Sequence, residues 1–216
     1  MVKKTAIAAA ISLASLSAFA DSNLIVDGSF EGQTQDPGTW AIYSAIPGWT
    51  AVSPGQIEVR DDVAGTAKLG SNFVELDANF NSAMQQIVAT TAGDRYQLSF
   101  WYSSRPASAY NSVFPGDVVP AGSNGLSFNV GGSDVSVYAA TENDTPDNDW
   151  KLYTTTFTAI GPTTTLTFTA TGTSDSYGTS LDGVVLTAVP EPGELSLLAA
   201  GLLLVGGLAR RRHLCD

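Results

Sequence analysis

Polar and apolar residues alternate most cleanly over residues 95–103. Tyr96, Leu98, Phe100 and Tyr102 share one side of an extended chain, and Gln97, Ser99, Trp101 and Ser103 share the other. A period of two predicts a strand with one face in a core and the other mostly wet. Further strands are predicted over residues 73–76, 84–89, 126–130, 135–139, 152–159, 164–170 and 181–187. These stretches are rich in Val, Thr, Phe and Tyr and are bounded by turn clusters such as Ala92-Gly93-Asp94, Gly131-Gly132 and Gly161-Pro162. Between residues 21 and 188 no segment keeps a helical apolar period for three turns. The pattern therefore predicts an all-β domain, a sandwich or jelly roll of two antiparallel sheets packed face to face.

Two stretches interrupt the strands. Residues 104–124, with Pro106, Pro115 and Pro120 among small and polar residues, are too long for a hairpin turn and read as a lip or an excursion. Residues 141–149 gather the carboxylates of Glu142, Asp144, Asp147 and Asp149.

The ends follow a different pattern. Lys3 and Lys4 precede an uncharged run over residues 5–17, and Ala18-Phe19-Ala20 stand directly before Asp21. A basic start, an apolar middle and a small-x-small site predict a signal peptide (residues 1–20), with Ala18 and Ala20 at the cleavage site and the Sec translocon as the route of export. As a helix that run would reach about 20 Å, short of a hydrocarbon core of about 30 Å. At the other end an apolar run over residues 195–209 meets Arg210, Arg211 and Arg212. It is a marginal span whose basic end would stay on the cytoplasmic side, a pause at the inner membrane and not a domain.

Charge narrows the partners of residues 21–188. Their 18 acidic and five basic side chains (Arg60, Lys68, Arg95, Arg105, Lys151) leave a net charge of −13. Such a surface repels nucleic acid and anionic lipid, and it is compatible with cations, with neutral sugars and with simple solubility.

The only Cys is Cys215 and the only His is His213, both beyond the arginines. The domain thus lacks a disulfide, a Ser-His-Asp triad, a Cys nucleophile and a His or Cys ligand for zinc. Carboxylates remain: Glu58, Glu75 and Asp77 are the strand candidates for the paired acids of a glycosidase, set against an ordinary solvent-facing role. The loop of Glu142, Asp144, Asp147 and Asp149 has oxygen ligands for Ca²⁺ but lacks the fixed glycine and closing glutamate of an EF-hand, so a solvated acidic turn is the simpler account.

Sugar rings stack on aromatic platforms, and Trp101 stands out of phase with the apolar side of its strand. Either a loop covers it or it offers an open platform. Tyr110, Phe114, Trp40 and Tyr43 are further candidates for lining the same cleft.

Two resemblances sharpen these expectations. Val189-Pro190-Glu191-Pro192, the short apolar run and Arg210-Arg211-Arg212 together resemble a PEP-CTERM sorting tail over residues 189–216, although His213 to Asp216 make the ending slightly long. The resemblance implies recognition by an exosortase at Pro190, Glu191 and Pro192, with the arginines behind. It also implies a transient inner-membrane tether, then transfer to the cell surface or extracellular matrix, as in a biofilm.

The domain resembles the choice-of-anchor C type of exported module, akin to galactose-binding-like and carbohydrate-binding jelly rolls. The matching stretches are Asn23-Leu24-Ile25-Val26-Asp27-Gly28-Ser29-Phe30-Glu31, Ile46-Pro47-Gly48-Trp49, Ile57-Glu58-Val59, Asn72-Phe73-Val74-Glu75-Leu76-Asp77, Tyr96-Gln97-Leu98-Ser99-Phe100 and Ser180-Leu181-Asp182-Gly183-Val184. This resemblance implies that the early Phe-Glu and late Leu-Asp segments lie side by side. It also implies that Glu31 and Asp182 hold a structural Ca²⁺, although Gly183 stands where Asn is common; strand-end capping is the alternative.

Together these readings describe an exported, non-catalytic polysaccharide-binding module with no required cofactor. A structural matrix component without a ligand and a carboxylate-based glycosidase or lyase are the alternatives.

Overall fold

The computed structural model describes residues 22–52, 54–107, 122–130, 133–137, 146–190 and 201. Tyr110, Phe114, Glu142, Asp144, the cleavage site at Ala18 and Ala20, and Glu191, Pro192 and Arg210 to Arg212 lie outside them. Among the described residues no helix is long and apolar enough to cross a membrane.

Twelve strands form two six-stranded antiparallel sheets. In chain order they are β1 Trp40–Tyr43, β2 Ala45–Ile46, β3 Trp49–Ala51, β4 Ile57–Asp61, β5 Asn72–Glu75, β6 Ala83–Ala89, β7 Arg95–Ser104, β8 Leu126–Val130, β9 Ser133–Val137, β10 Lys151–Thr158, β11 Thr163–Ala170 and β12 Thr179–Ala188. The first sheet runs β1-β4-β5-β12-β7-β10 and the second β2-β3-β6-β11-β8-β9, the jelly-roll sandwich that the alternation predicts. The predicted strands fall on β5 to β12, with described ends differing by one or two residues; residues 138–139 of the stretch predicted over 135–139 lie outside the described residues. β1 to β4 are short, and in β4 the alternation of Ile57 and Val59 with Glu58 and Arg60 is not matched by exposure, since every residue is buried.

The inner faces meet in an aromatic core. Phe100 packs edge-on against Phe168 and Phe128 at ring separations of 5.0 and 5.3 Å, and Trp49 bridges Phe168 and Phe30 at 6.0 Å each. Around them lie Ile57, Val74, Met84, Leu98, Leu126, Leu166, Leu181 and Leu186. A fully buried Leu or Phe stabilises the fold by roughly 1.5–3 kcal/mol, so this shared layer is what holds the sheets together. The buried Gln86 takes the N–H of Val26 and donates to its carbonyl at 2.8 and 3.0 Å, hanging the N-terminal segment on the core. That segment runs beside β12, with Leu24 N–H bonded to Leu186 O and Val184 N–H to Gly28 O. At the other end Val189 N–H still bonds to Arg95 O, and the exposed Pro190 follows.

One expectation fails on the outer side of the first sheet. The polar side of β7 is wet only at its start: Gln97 is exposed, Ser99 and Trp101 are half-buried, and Ser103 is buried. Loops folded back over this face cause the change.

Candidate functional site

Two rows of side chains cross the outer face of the first sheet. Cross-strand register aligns Ile42, Glu58, Glu75, Ser180 and Ser103 from β1 through β4, β5 and β12 to β7. The neighbouring row holds Trp40, Arg60 and Phe73 on one flank and Asp182, Trp101 and Leu152 on the other. Each of these residues is out of phase with its strand's core-facing positions, so alternation alone delivers them to one surface.

Arg60 ties two of the carboxylates together. Its Nε and Nη2 lie 2.7 and 2.6 Å from Glu58 Oε1, and Nη2 lies 3.3 Å from Glu75 Oε2. Arg105 approaches the other oxygen of Glu75 at 3.6 Å, and the Gly178 amide donates to that oxygen at 2.9 Å. Glu58, Glu75 and Arg60 are 5, 0 and 2 % exposed. The solvent-facing role expected of Glu58, Glu75 and Asp77 is therefore not observed: the face is roofed, and all three are buried. Burial pushes the Glu75 carboxyl up, against the opposing charges of Arg60 and Arg105, and burial also lowers the Arg105 guanidinium.

Several buried polar atoms here have no hydrogen-bond partner: Arg60 Nη1, Arg105 Nε and Ser180 Oγ, while Glu75 Oε2 meets only the Arg60 charge at 3.3 Å. Buried polar groups are normally paired, so donors and acceptors left over on one face mark a place built for something polar.

The roof has three parts. Residues 62–71 cross the face, held by Asp182, whose Oδ2 accepts the amides of Lys68 and Leu69 at 2.8 Å each. Residues 146–150 lie against that loop. Asp147 accepts the amide and hydroxyl of Thr66 at 2.7 Å each, and Trp150 Nε1 donates to Thr66 O at 3.0 Å. The Asp149 amide donates to Ser103 Oγ at 3.0 Å. Of the predicted acidic turn, then, Asp147 is a loop clamp. Although its partial burial acts to raise it, the Thr66 hydroxyl and the amides of Asn148 and Thr66 outweigh that and hold it below the usual range. The third part is the β11–β12 loop, where Tyr177 donates its hydroxyl to Pro106 O and its ring lies under Arg105 at 4.9 Å.

Trp101 answers the choice between a covered ring and an open one with both. Its ring lies 4.0 Å from Lys68 Nζ, yet the residue stays half-buried beside the exposed Leu152 and Leu69. Gly183 makes this possible. It sits in a register shift between Asp182 and Val185 with φ +58°, and a Cβ there would come within 2.9 Å of Trp101 Cδ1. That is a reason for glycine at this position.

Trp40 stands 55 % exposed on the sheet's edge strand, on the same face as Trp101. Tyr43 is on the other side of β1, against the core, with its hydroxyl donating to Gln35 Oε1 at 2.9 Å.

Glu31 and Asp182 are brought to one loop. Glu31 Oε1 accepts the amides of Ser71 and Asn72 at 3.0 and 2.7 Å, as Asp182 accepts those of Lys68, Leu69 and Gly183. Burial raises Asp182 to about 7, against its three amide bonds, and the charge of Glu31 adds to the rise. These carboxylates face N–H groups, where a calcium cage presents oxygens, so the donor set does not fit that cation. Among the described residues no group of three Asp, Glu, His or Cys gathers.

Sequence reasoning missed Arg60, Arg105 and Tyr177. Arg60 carries a signal, a basic residue at alternate spacing from Glu58; the other two reach the site from loops.

No family model matches the chain. Halomucin of Haloquadratum walsbyi is 30 % identical over 181 residues, 79 % of this chain, and the chain spans 2 % of that protein's length. Among solved structures, an arabinose-bound GH51 α-L-arabinofuranosidase gives a TM-score of 0.50 at 10 % identity, over 77 % of this chain and 26 % of that one. A family 16 carbohydrate-binding module gives 0.46 at 16 % identity, over 76 % of this chain and 99 % of that one. A family 61 module in complex with β-1,4-galactotriose gives 0.41 at 17 % identity, over 78 % of this chain and 99 % of that one. What the arabinofuranosidase and this chain share at that identity is the β-sandwich fold.

Proposed function

We propose that this chain is an exported surface or matrix protein whose sandwich binds polysaccharide, without catalysis, on the outer face of the first sheet. The observation that carries the reading is the mixture of unpaired donors and acceptors between Trp40 and Trp101. A sugar hydroxyl both donates and accepts, so a polyhydroxylated chain that enters beneath the roofing loops can satisfy Arg60 and Arg105 on one side and Glu75 and Ser180 on the other. The two indoles supply faces for ring stacking. Tyr110 and Phe114 belong to the same proposal as contacts from the long loop, while Tyr43 supports β1 from the core side.

A non-catalytic role is supported by the state of the carboxylates. Glu58 and Glu75 stand opposite each other, as a glycosidase pair could, but both are buried and both engage Arg60.

Export and sorting complete the proposal: cleavage after Ala20 following Sec transport, then exosortase processing at Pro190-Glu191-Pro192 ahead of Arg210 to Arg212. The mass of the mature protein tests this, since removal of both ends leaves a chain of residues 21 to about 190. Recovery of the full-length chain from membranes of a cell that has an exosortase would overturn the sorting.

Binding is tested by retention of the purified protein on affinity gels and a glycan array. The expected result is retention on a neutral or acidic glycan, weakened about tenfold or more by Trp101→Ala with the fold intact. No retention across a broad panel sinks the binding role and leaves a structural matrix component.

A further inference from the structure

We propose that the turn over residues 77–81 and the β11–β12 loop together bind a divalent cation, Ca²⁺, through the side-chain oxygens of Asp77, Asn81 and Asp175. Asp77 and Asn81 form an antiparallel bridge, which sets their side chains on one side of the ladder. Both face the β11–β12 loop: Asp77 Oδ2 accepts the amides of Asp175 and Tyr177 at 3.0 and 3.3 Å. From Asn81, Nδ2 donates to Gly172 O at 2.6 Å and the amide donates to Ser174 Oγ at 3.0 Å.

Each residue then has one oxygen left over. Asp77 Oδ1 and Asn81 Oδ1 are both buried without a hydrogen-bond partner, and Asp77 as a whole is 1 % exposed. Asp175 adds a second carboxylate at the rim, exposed to solvent, with Oδ2 accepting from Ser123 Oγ at 2.6 Å.

The local chemistry is that of acceptors without a matching positive charge. Among the described ion pairs none involves Asp77 or Asp175, because Arg60 and Arg105 are engaged by Glu58 and Glu75. Burial pushes the Asp77 carboxyl up despite its two amide bonds, and the charges of Glu75 and Asp175 add to it. A hard cation reverses that penalty, and oxygen atoms of carboxylates, amide side chains and loop carbonyls are what Ca²⁺ takes. Asp182 differs, since amides engage both of its oxygens, and Glu31 differs in being exposed, whereas Asp77 keeps one buried oxygen without a partner. Bound there, the ion would pin the loop that carries Tyr177 and Gly178, the two residues that reach Arg105 and Glu75. Cation binding at this turn is independent of whether the recess takes sugar.

The test is calorimetric titration of the chelator-treated, purified protein with CaCl₂, beside its melting temperature in CaCl₂ and in chelator. The expected result is saturable 1:1 binding and a higher melting temperature in Ca²⁺, because a ligand selective for the folded state stabilises it by mass action. Asp77→Asn and Asn81→Ala should each weaken binding about tenfold or more, while Glu31→Gln leaves it unchanged. Asp175→Asn, at an exposed position that leaves the buried network intact, provides the variant that still folds if the others do not. No heat and no thermal shift at millimolar Ca²⁺ would overturn the site. So would binding retained in folded Asp77→Asn and Asp175→Asn, or lost only in Glu31→Gln.

Discussion

Both sheets turn one face to the same aromatic core, yet their outer faces differ in kind. On the second sheet, register aligns Thr50, Gln85, Thr167 and Asn129 across β3, β6, β11 and β8, with Thr169 and Ser127 alongside. Thr165 there is exposed and Ile87 is 64 % exposed. On the first sheet the corresponding positions carry Glu58, Arg60, Glu75, Asp182 and Trp101, and loops bury most of them. Uncharged hydroxyls and amides are content in water and need no partners. Charges placed under a roof need all of theirs, and this sheet leaves several atoms unpaired. The proposed binding face is the one that carries this burden.

The most severe break in that contrast is Arg60→Met. It leaves Glu58 without its counter-charge and Glu75 with Arg105 alone, and chemical denaturation should show a loss of about 3–5 kcal/mol. Replacing Glu58, Arg60 and Glu75 together with apolar residues should recover most of it, since the cost lies in the unpaired charges.

Asp182 offers a reversible perturbation. The folded chain holds its proton up to about pH 7, while an unfolded aspartyl carboxyl loses it at about 3.8. Protonation therefore favours the folded state, and stability should rise as pH falls from 8 to 5, by about 2 kcal/mol. Melting curves of Asp182→Asn should lose this part of the slope; an unchanged slope would remove Asp182 as its source.

Gly183→Ala comes next. It forces a Cβ into positive φ and against the Trp101 ring, and should cost about 1–3 kcal/mol. Indole fluorescence should shift with it, because Trp101 must move from beneath Lys68.

On the second sheet, Gln85→Ala or Thr167→Ala should change stability by no more than about 0.5 kcal/mol and leave glycan retention intact. A large loss of retention there would move the binding surface to the wrong sheet.

Much of the fold was legible because a strand's period of two is a local property. Tyr96, Leu98 and Phe100 report their burial through spacing alone, and Trp101 reports its different face in the same way. β4 alternates as well, Ile57 and Val59 against Glu58 and Arg60, but that pattern could not show that loops bury its polar side as fully as the core buries the other. The same local logic placed Glu58 and Glu75 on strands. It could not show that they are cross-strand neighbours bridged by Arg60, because register pairs residues 17 apart in sequence. Nor could it tell that the carboxylates of Glu31, Asp147 and Asp182 hold the loop over residues 66–72 by its amides.

The sequence by itself determined an all-β chain without His or Cys chemistry in the domain, with one tryptophan set apart from its strand's core side. Only the tertiary structure decided which outer face was roofed, which charges were paired, and which oxygens at Asp77 and Asn81 were left over. Pattern is written in neighbours along the chain, whereas desolvation and pairing depend on residues that meet only when distant loops close over a sheet.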